Sequence, residues 1–249
     1  MLCAVFGLCY VQSLVCVMCG SDCLLCSGFG LCFVHFFVCV FCYFSLALGF
    51  VVIASGNFSL ALGYQAIARG ENSIALGRQA NASGVNSQAL GFQSKASGIE
   101  SRASGFNANA SGDYSQALGR QAKASGDYST ASGFQSTSSG LYSQASGYQA
   151  NASGTGAQAS GYFATANGNG AQASGYQASA SADRSIALGK DTTADASNAI
   201  AIGTGATTKG ISTVALGAGS NAGANRATAL GRSPLASKID STAVGFGAN

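Results

Sequence analysis

Between residues 45 and 249, apolar and polar positions recur in a fixed phase of fourteen. A run such as Ser73-Ile74-Ala75-Leu76 alternates small and large side chains and ends on Gly77. The next run, Gln79-Ala80-Asn81-Ala82-Ser83, alternates polar and small ones and ends on Gly84. Alternation with a period of two is the signature of a strand, and about five residues between turns is strand length, too short for a helix. Each fourteen-residue unit therefore predicts two short strands and two tight turns, one coil of a parallel β-solenoid.

The phase holds without an insertion. Gly stands at Gly49, Gly63, Gly77, Gly91, Gly105, Gly119, Gly133, Gly147, Gly161, Gly175, Gly189, Gly203, Gly217, Gly231 and Gly245. Ala precedes each by two positions, from Ala47 to Ala243, and Ser by four in ten of the fifteen coils. Seven residues beyond the first glycine a second one occurs in ten of fourteen coils; Ala182, Ala196, Ala224 and Lys238 are the exceptions. A glycine at a fixed offset marks a backbone position that needs positive φ or close approach, so these are the structural turn residues. With coils about 4.8 Å apart, the array predicts a rod of roughly 67 Å.

The positions that are always small must line the short distance between the two strands of a coil. The interior is then a thin layer of methyl groups, since nearly every such position is Ala, Ser or Thr, Pro234 being an exception. The other face of the first strand is apolar in many coils. Leu62, Ile74, Leu76, Ile186, Leu188, Ile200, Ile202, Val214 and Leu216 lie on it. Stacked, they form a stripe too long and apolar to be left in water. An interior of alanine buries few methylenes per residue and stabilises weakly. An oligomer that buries the stripe around a shared axis resolves both problems, and these nine residues are the subunit-interface candidates. The alternative is a monomer whose own N-terminal segment covers the stripe.

Composition sharpens this picture. Only 8% of the 249 residues are charged, and there are 35 Gly, one Pro and no Trp. A net charge of +3, scattered one or two charges per coil, gives no basis for a nucleic-acid partner. No phosphate-cradling glycine loop, paired carboxylates or array histidine supports catalysis, so the reading is non-enzymatic, with no cofactor and no metal. Aromatic residues recur beside the turns: Tyr64, Phe92, Phe106, Phe134, Tyr148, Tyr162 and Tyr176 after the first glycine, and Phe58, Tyr114, Tyr128 and Tyr142 before the first strand. They form either a ladder that grips a partner or corner packing between coils or chains.

Residues 1–44 have a different character. They hold all nine Cys and one charged residue, Asp22. Met1 to Cys19 and Leu24 to Phe44 are apolar and long enough for membrane helices. The segment has neither the basic start nor the clear cleavage site of a secretory signal. Three Cys-x-x-Cys pairs (16 with 19, 23 with 26, 39 with 42) sit among Val, Leu and Phe, surroundings that favour small buried apolar residues over a zinc site. Cys, Phe, Val, Leu and Gly are also what T- and G-rich codons encode. A mis-set start or a frame join near Ser45 is the other reading of this segment.

The runs Ser59-Leu-Ala-Leu-Gly63, Ser73-Ile-Ala-Leu-Gly77 and Ser185-Ile-Ala-Leu-Gly189 resemble the head repeats of YadA-like trimeric autotransporter adhesins. The resemblance covers residues 45–249. It implies a left-handed parallel β-roll, a homotrimer, display at the outer-membrane surface of a bacterium, and attachment to host matrix, cells or other bacteria. The sequence departs from the family pattern in four ways. The stripe turns polar in the middle (Arg102 and Ser104, Thr130 and Ser132, then Gln and Ser at 144 and 146, 158 and 160, 172 and 174). There is no heptad stalk and no run of barrel strands, and the chain stops inside a coil at Asn249, as expected of a fragment or of a reading frame broken from a longer gene. Membrane association would then come only through residues 1–44 or a missing C-terminal anchor. The competing function is a fibre or spacer rod without a specific ligand, and an ice-binding solenoid would need a regular rank of Thr that this sequence does not have.

Overall fold

The computed structural model describes Cys16–Val17, Val38–Val40 and residues 44–249. The Cys-x-x-Cys pairs and both candidate membrane segments fall, apart from those five residues, outside the described residues. Among the described residues every regular element is a strand, and the strands form two parallel sheets. One sheet stacks fifteen three-residue strands, from Leu46–Leu48 to Thr242–Val244; the other stacks sixteen, of two residues each except Val38–Val40 and Val52–Ala54, and ends at Leu235–Ala236. Successive coils of the array pair with a register of fourteen, as in Leu60 with Ile74, Ile74 with Gln88 and Ala82 with Ala96. Val38–Val40 continues the second sheet in the same register, Val38 lying beside Val52, and Cys16–Val17 pairs with Cys39 and Val40. The chain is thus a parallel β-solenoid with two flat sheets back to back.

The core is the methyl layer that the alternation predicts. Ala75, Ala80 and Ala82 are fully buried, and the same three positions are buried in most coils. Val52 is the largest apolar side chain to be fully buried. The buried Ser of the first strand has a task that alternation alone does not reveal. In Ser101, Ser115 and Ser143 its hydroxyl donates to the carbonyl of the glycine three residues back, at 2.7, 2.6 and 2.7 Å. A small residue is needed there for space, and a hydroxyl also satisfies a carbonyl at the edge of a core without water.

The two glycine series do different work. The first series has φ between 119° and 139°, a conformation open only to glycine. The second series has ordinary φ but no room: a Cβ on Gly70 would stand 1.8 Å from the carbonyl oxygen of Gly84 in the next coil. The left-handed turn positions lie elsewhere. Every seventh residue from Phe44 to Gly247 has φ of about 51° to 67°, and 25 of these residues are not glycine. They include Gln65, Asn72, Gln79, Tyr128 and even the β-branched Val51. Sequence reasoning assigned positive φ or close approach to the conspicuous glycines, and both occur, but it missed this series, because Gln, Asn and Tyr do not announce it.

Candidate interaction surfaces

Three surfaces run along the rod, each built by fixed positions of the repeat. The first is the outward face of the fifteen-strand sheet. Leu62, Ile74, Leu76, Ile186, Leu188, Ile200, Ile202 and Val214 are half-buried there and Leu216 is exposed. They stack in register: Ile186 on Ile200 on Val214, and Leu188 on Ile202 on Leu216. Their partial burial comes from neighbours above and below within the same chain, and nothing in the described chain lies across them. The face has two largely apolar blocks, residues 46–90 and 186–244, broken only by Gln88, Thr228 and Thr242, with Gln144, Gln158 and Gln172 stacked in register between them. Arg102 projects from the same face.

The second surface is the corner after the first glycine. Here the aromatic residues stack face to face along the rod axis. Phe134, Tyr148, Tyr162 and Tyr176 follow one another at centroid spacings of 5.0, 4.8 and 5.2 Å, within 10° of parallel. Arg78 sits between Tyr64 and Phe92 at 5.4 and 5.5 Å, and Arg120 between Phe106 and Phe134 at the same distances. Lys190 ends the series over Tyr176 at 5.7 Å. One uninterrupted ladder of rings and cations thus runs from Phe50 to Lys190. Each ring–cation contact is worth about 0.5 to 1 kcal/mol at an exposed site. Stacked rings turn their edges outward, so these residues pack coil against coil at the corner while staying partly exposed.

Beside this ladder runs an amide ladder at the left-handed positions. Gln79 donates to Gln65 and Gln93 to Gln79, both at 3.0 Å; Gln135 donates to Gln121 at 3.0 Å and Gln149 to Gln135 at 2.7 Å. An open groove of about 610 Å³ lies along its second half, lined by Gln121, Lys123, Gln135, Thr137, Gln149 and Phe163 among others.

The third surface is the opposite corner. Tyr114, Tyr128 and Tyr142 stack there at 4.8 and 4.9 Å. Acids gather on this side: the Asp113 carboxylate accepts from the backbone N–H of Ile99 at 2.8 Å, and Asp127 from that of Asp113 at 2.9 Å. Asn169 and Asp183 repeat the device lower down. Desolvation between its neighbours, reinforced by Tyr114, Tyr142, Asp127 and Asp113, raises the Tyr128 phenol above its ordinary value. A hydrogen bond from Arg226 holds the Asp240 carboxylate below its ordinary value, at an ion pair that is mostly solvent-exposed. The charges that look scattered in sequence keep their phase in space: the position after the first glycine holds Arg78, Arg120, Lys190 and Arg232, and the position after the second turn residue holds Glu71, Asp113, Asp127 and Asp183, while Asp191 sits beside Lys190 and Arg226 beside Asp240 as local partners. A fourteen-residue alignment of the sequence by coil would have revealed this, since every corner residue keeps its phase.

No group of three or more potential metal ligands gathers among the described residues. The chain matches the YadA head domain repeat (2 copies) over residues 54–80, 82–108, 96–122, 110–136, 159–181, 173–192, 180–206 and 209–233, together more than half of its length. No curated protein matches it. Among solved structures, the collagen-binding domain of the Yersinia adhesin YadA is similar, with 26% identity over 59% of this chain and 72% of that one and a TM-score of 0.45. With its strict phase, its paired turn glycines and the matched stretches, the chain belongs to the family of YadA head domain repeats.

Proposed function

We propose that this chain is the non-enzymatic head of a trimeric surface adhesin. Three copies would share one axis at the outer face of a bacterial outer membrane and attach the cell to extracellular matrix or to other cells. The observation that carries the reading is the apolar face of the fifteen-strand sheet, which no described residue lies across. Its half-buried Ile and Leu columns are too extensive for a soluble single chain and are repeated in phase, as a symmetric assembly requires. Family membership supports the adhesin part of the reading. A rod of repeated coils in three copies suits adhesion by many weak contacts, because linked sites raise overall affinity far above that of each contact.

Saturable binding of the purified chain to immobilised collagen or fibronectin is the expected result. A chain of the right assembled mass that binds neither protein nor cells would favour the spacer rod instead.

A further inference from the structure

The two tyrosine columns carry an observation that adhesion does not use. Tyr114, Tyr128 and Tyr142 form one column, and Tyr148, Tyr162 and Tyr176 the other, at ring spacings of 4.8 to 5.2 Å. All six rings are exposed, between 39% and 56%. The columns lie on opposite corners and succeed one another: Tyr142 ends the first and Tyr148 begins the second, six residues on. Together they span residues 114–176, which are the coils where the outward face of the fifteen-strand sheet is largely Gln, Thr and Ser. The array is tyrosine-stacked where it lacks its apolar stripe. Elsewhere the ladder holds Phe, Arg or a single Tyr64, whose neighbours in the ladder are Phe50 and Arg78.

We propose that these columns are oxidative cross-linking sites, at which a haem peroxidase with hydrogen peroxide joins tyrosines of adjacent coils as dityrosine. The oxidant removes one hydrogen atom from each of two neighbouring phenols, giving two phenoxyl radicals. The radicals form one carbon–carbon bond between ring positions ortho to the oxygens. Each of those carbons then loses its proton and each oxygen regains one. Two tyrosines and one peroxide thus yield one dityrosine and two waters, and the protein loses two hydrogens per link. Stacking holds neighbouring phenols one ring spacing apart, and because the rings are exposed their side chains can swing out of the stack to bring two ortho carbons together. Proximity inside one chain favours this coupling over encounters between molecules. Each link closes a loop between consecutive coils and resists their separation, as a disulfide does in other small-core proteins.

The test treats the full chain with horseradish peroxidase and hydrogen peroxide. The expected product runs as a single chain on a denaturing gel, shows dityrosine fluorescence and is lighter by two hydrogens per link. After trypsin, the link from Tyr114 to Tyr128 joins the peptides Ala103–Arg120 and Ala124–Arg184. Tyr128→Phe keeps a ring in the stack and abolishes that joined pair, because Tyr114 and Tyr142 are then two coils apart. Tyr64→Phe leaves the pair unchanged. The proposal is overturned if peroxidase that couples free tyrosine in the same tube leaves the chain mass unchanged. It is equally overturned if the joined pair survives in Tyr128→Phe or forms only between chains.

Discussion

Gly77 and Gly91 lie one above the other: a Cβ placed on Gly77 would stand 2.6 Å from the carbonyl oxygen of Gly91. The contact is backbone against backbone, so no side chain can move aside to relieve it. It recurs down the rod, as in Gly91 over Gly105 and Gly105 over Gly119, and together with the positive φ that the second glycine series lacks it accounts for a glycine phase without exception. Strict stacking at the turns is what holds neighbouring coils at strand-pairing distance.

Gly77→Ala therefore meets two penalties, a φ of 133° and the clash with the next coil. The expected loss is about 3 kcal/mol, from strained backbone and displaced pairing together. Urea unfolding of the full chain followed by circular dichroism reads it as a fall in midpoint. A midpoint equal to that of the parent would contradict the stacking argument.

The left-handed series makes the opposite prediction. Ser212 has φ of 56° and is exposed. Ser212→Gly relieves roughly 1 kcal/mol of backbone strain, partly offset by the greater freedom of glycine in the unfolded chain. A net stabilisation of about 0.5 kcal/mol is expected, seen as a higher urea midpoint. A loss of stability would mean that the serine side chain contributes something not visible in its contacts.

Gln135 sits at the centre of a three-member amide ladder, donating to Gln121 and accepting from Gln149. Gln135→Ala removes both bonds without changing the backbone requirement. The cost is expected at about 1 kcal/mol, since exposed amides recover part of the loss from water. Amide hydrogen exchange should accelerate in the coils of Gln121 to Gln149 and remain unchanged near Ile200.

Tyr128 ties the acidic corner to pH. Its phenol is raised, so the folded chain holds that proton more tightly than the unfolded one. The linked stability is fully present below the ordinary tyrosine value of about 10 and is lost as pH rises through the higher folded value. In NMR spectra of ring-labelled chain, Tyr128 is expected to ionise above free tyrosine. Removing both neighbouring carboxylates in Asp113→Asn with Asp127→Asn should lower its midpoint.

Much of this fold is legible in the sequence, because a repeat turns one local rule into fourteen tests of the same rule. The alternation at Ser73-Ile74-Ala75-Leu76 states which side chains face in, and the burial of Ser73 and Ala75 agrees. The stripe through Ile74, Leu76 and Ile200 is read the same way. The left-handed positions are different: Gln79 and Tyr128 adopt φ of 58° and 56° because the turns on either side impose it, and neither residue type prefers it. The ring–cation order at Tyr64, Arg78 and Phe92 escapes a reading by residue class, since it appears only when residues fourteen apart are compared as neighbours. The single-sign columns of Arg78, Arg120 and Lys190 and of Asp113, Asp127 and Asp183 are hidden for the same reason.

The uncovered stripe predicts how the chain assembles. Leu76→Glu places a charge on the outward face of the fifteen-strand sheet, whereas Lys95→Glu changes charge on the opposite sheet. The first is expected to break assembly into single chains and the second to leave it intact, both read by light scattering. Equal behaviour of the two variants would show that the stripe is not the contact.

Sedimentation equilibrium of the full chain tests the shared-axis account most directly. A mass three times that of the 24.6 kDa chain is predicted across dilution. A stable, soluble single chain with its Ile and Leu columns open to water would contradict it.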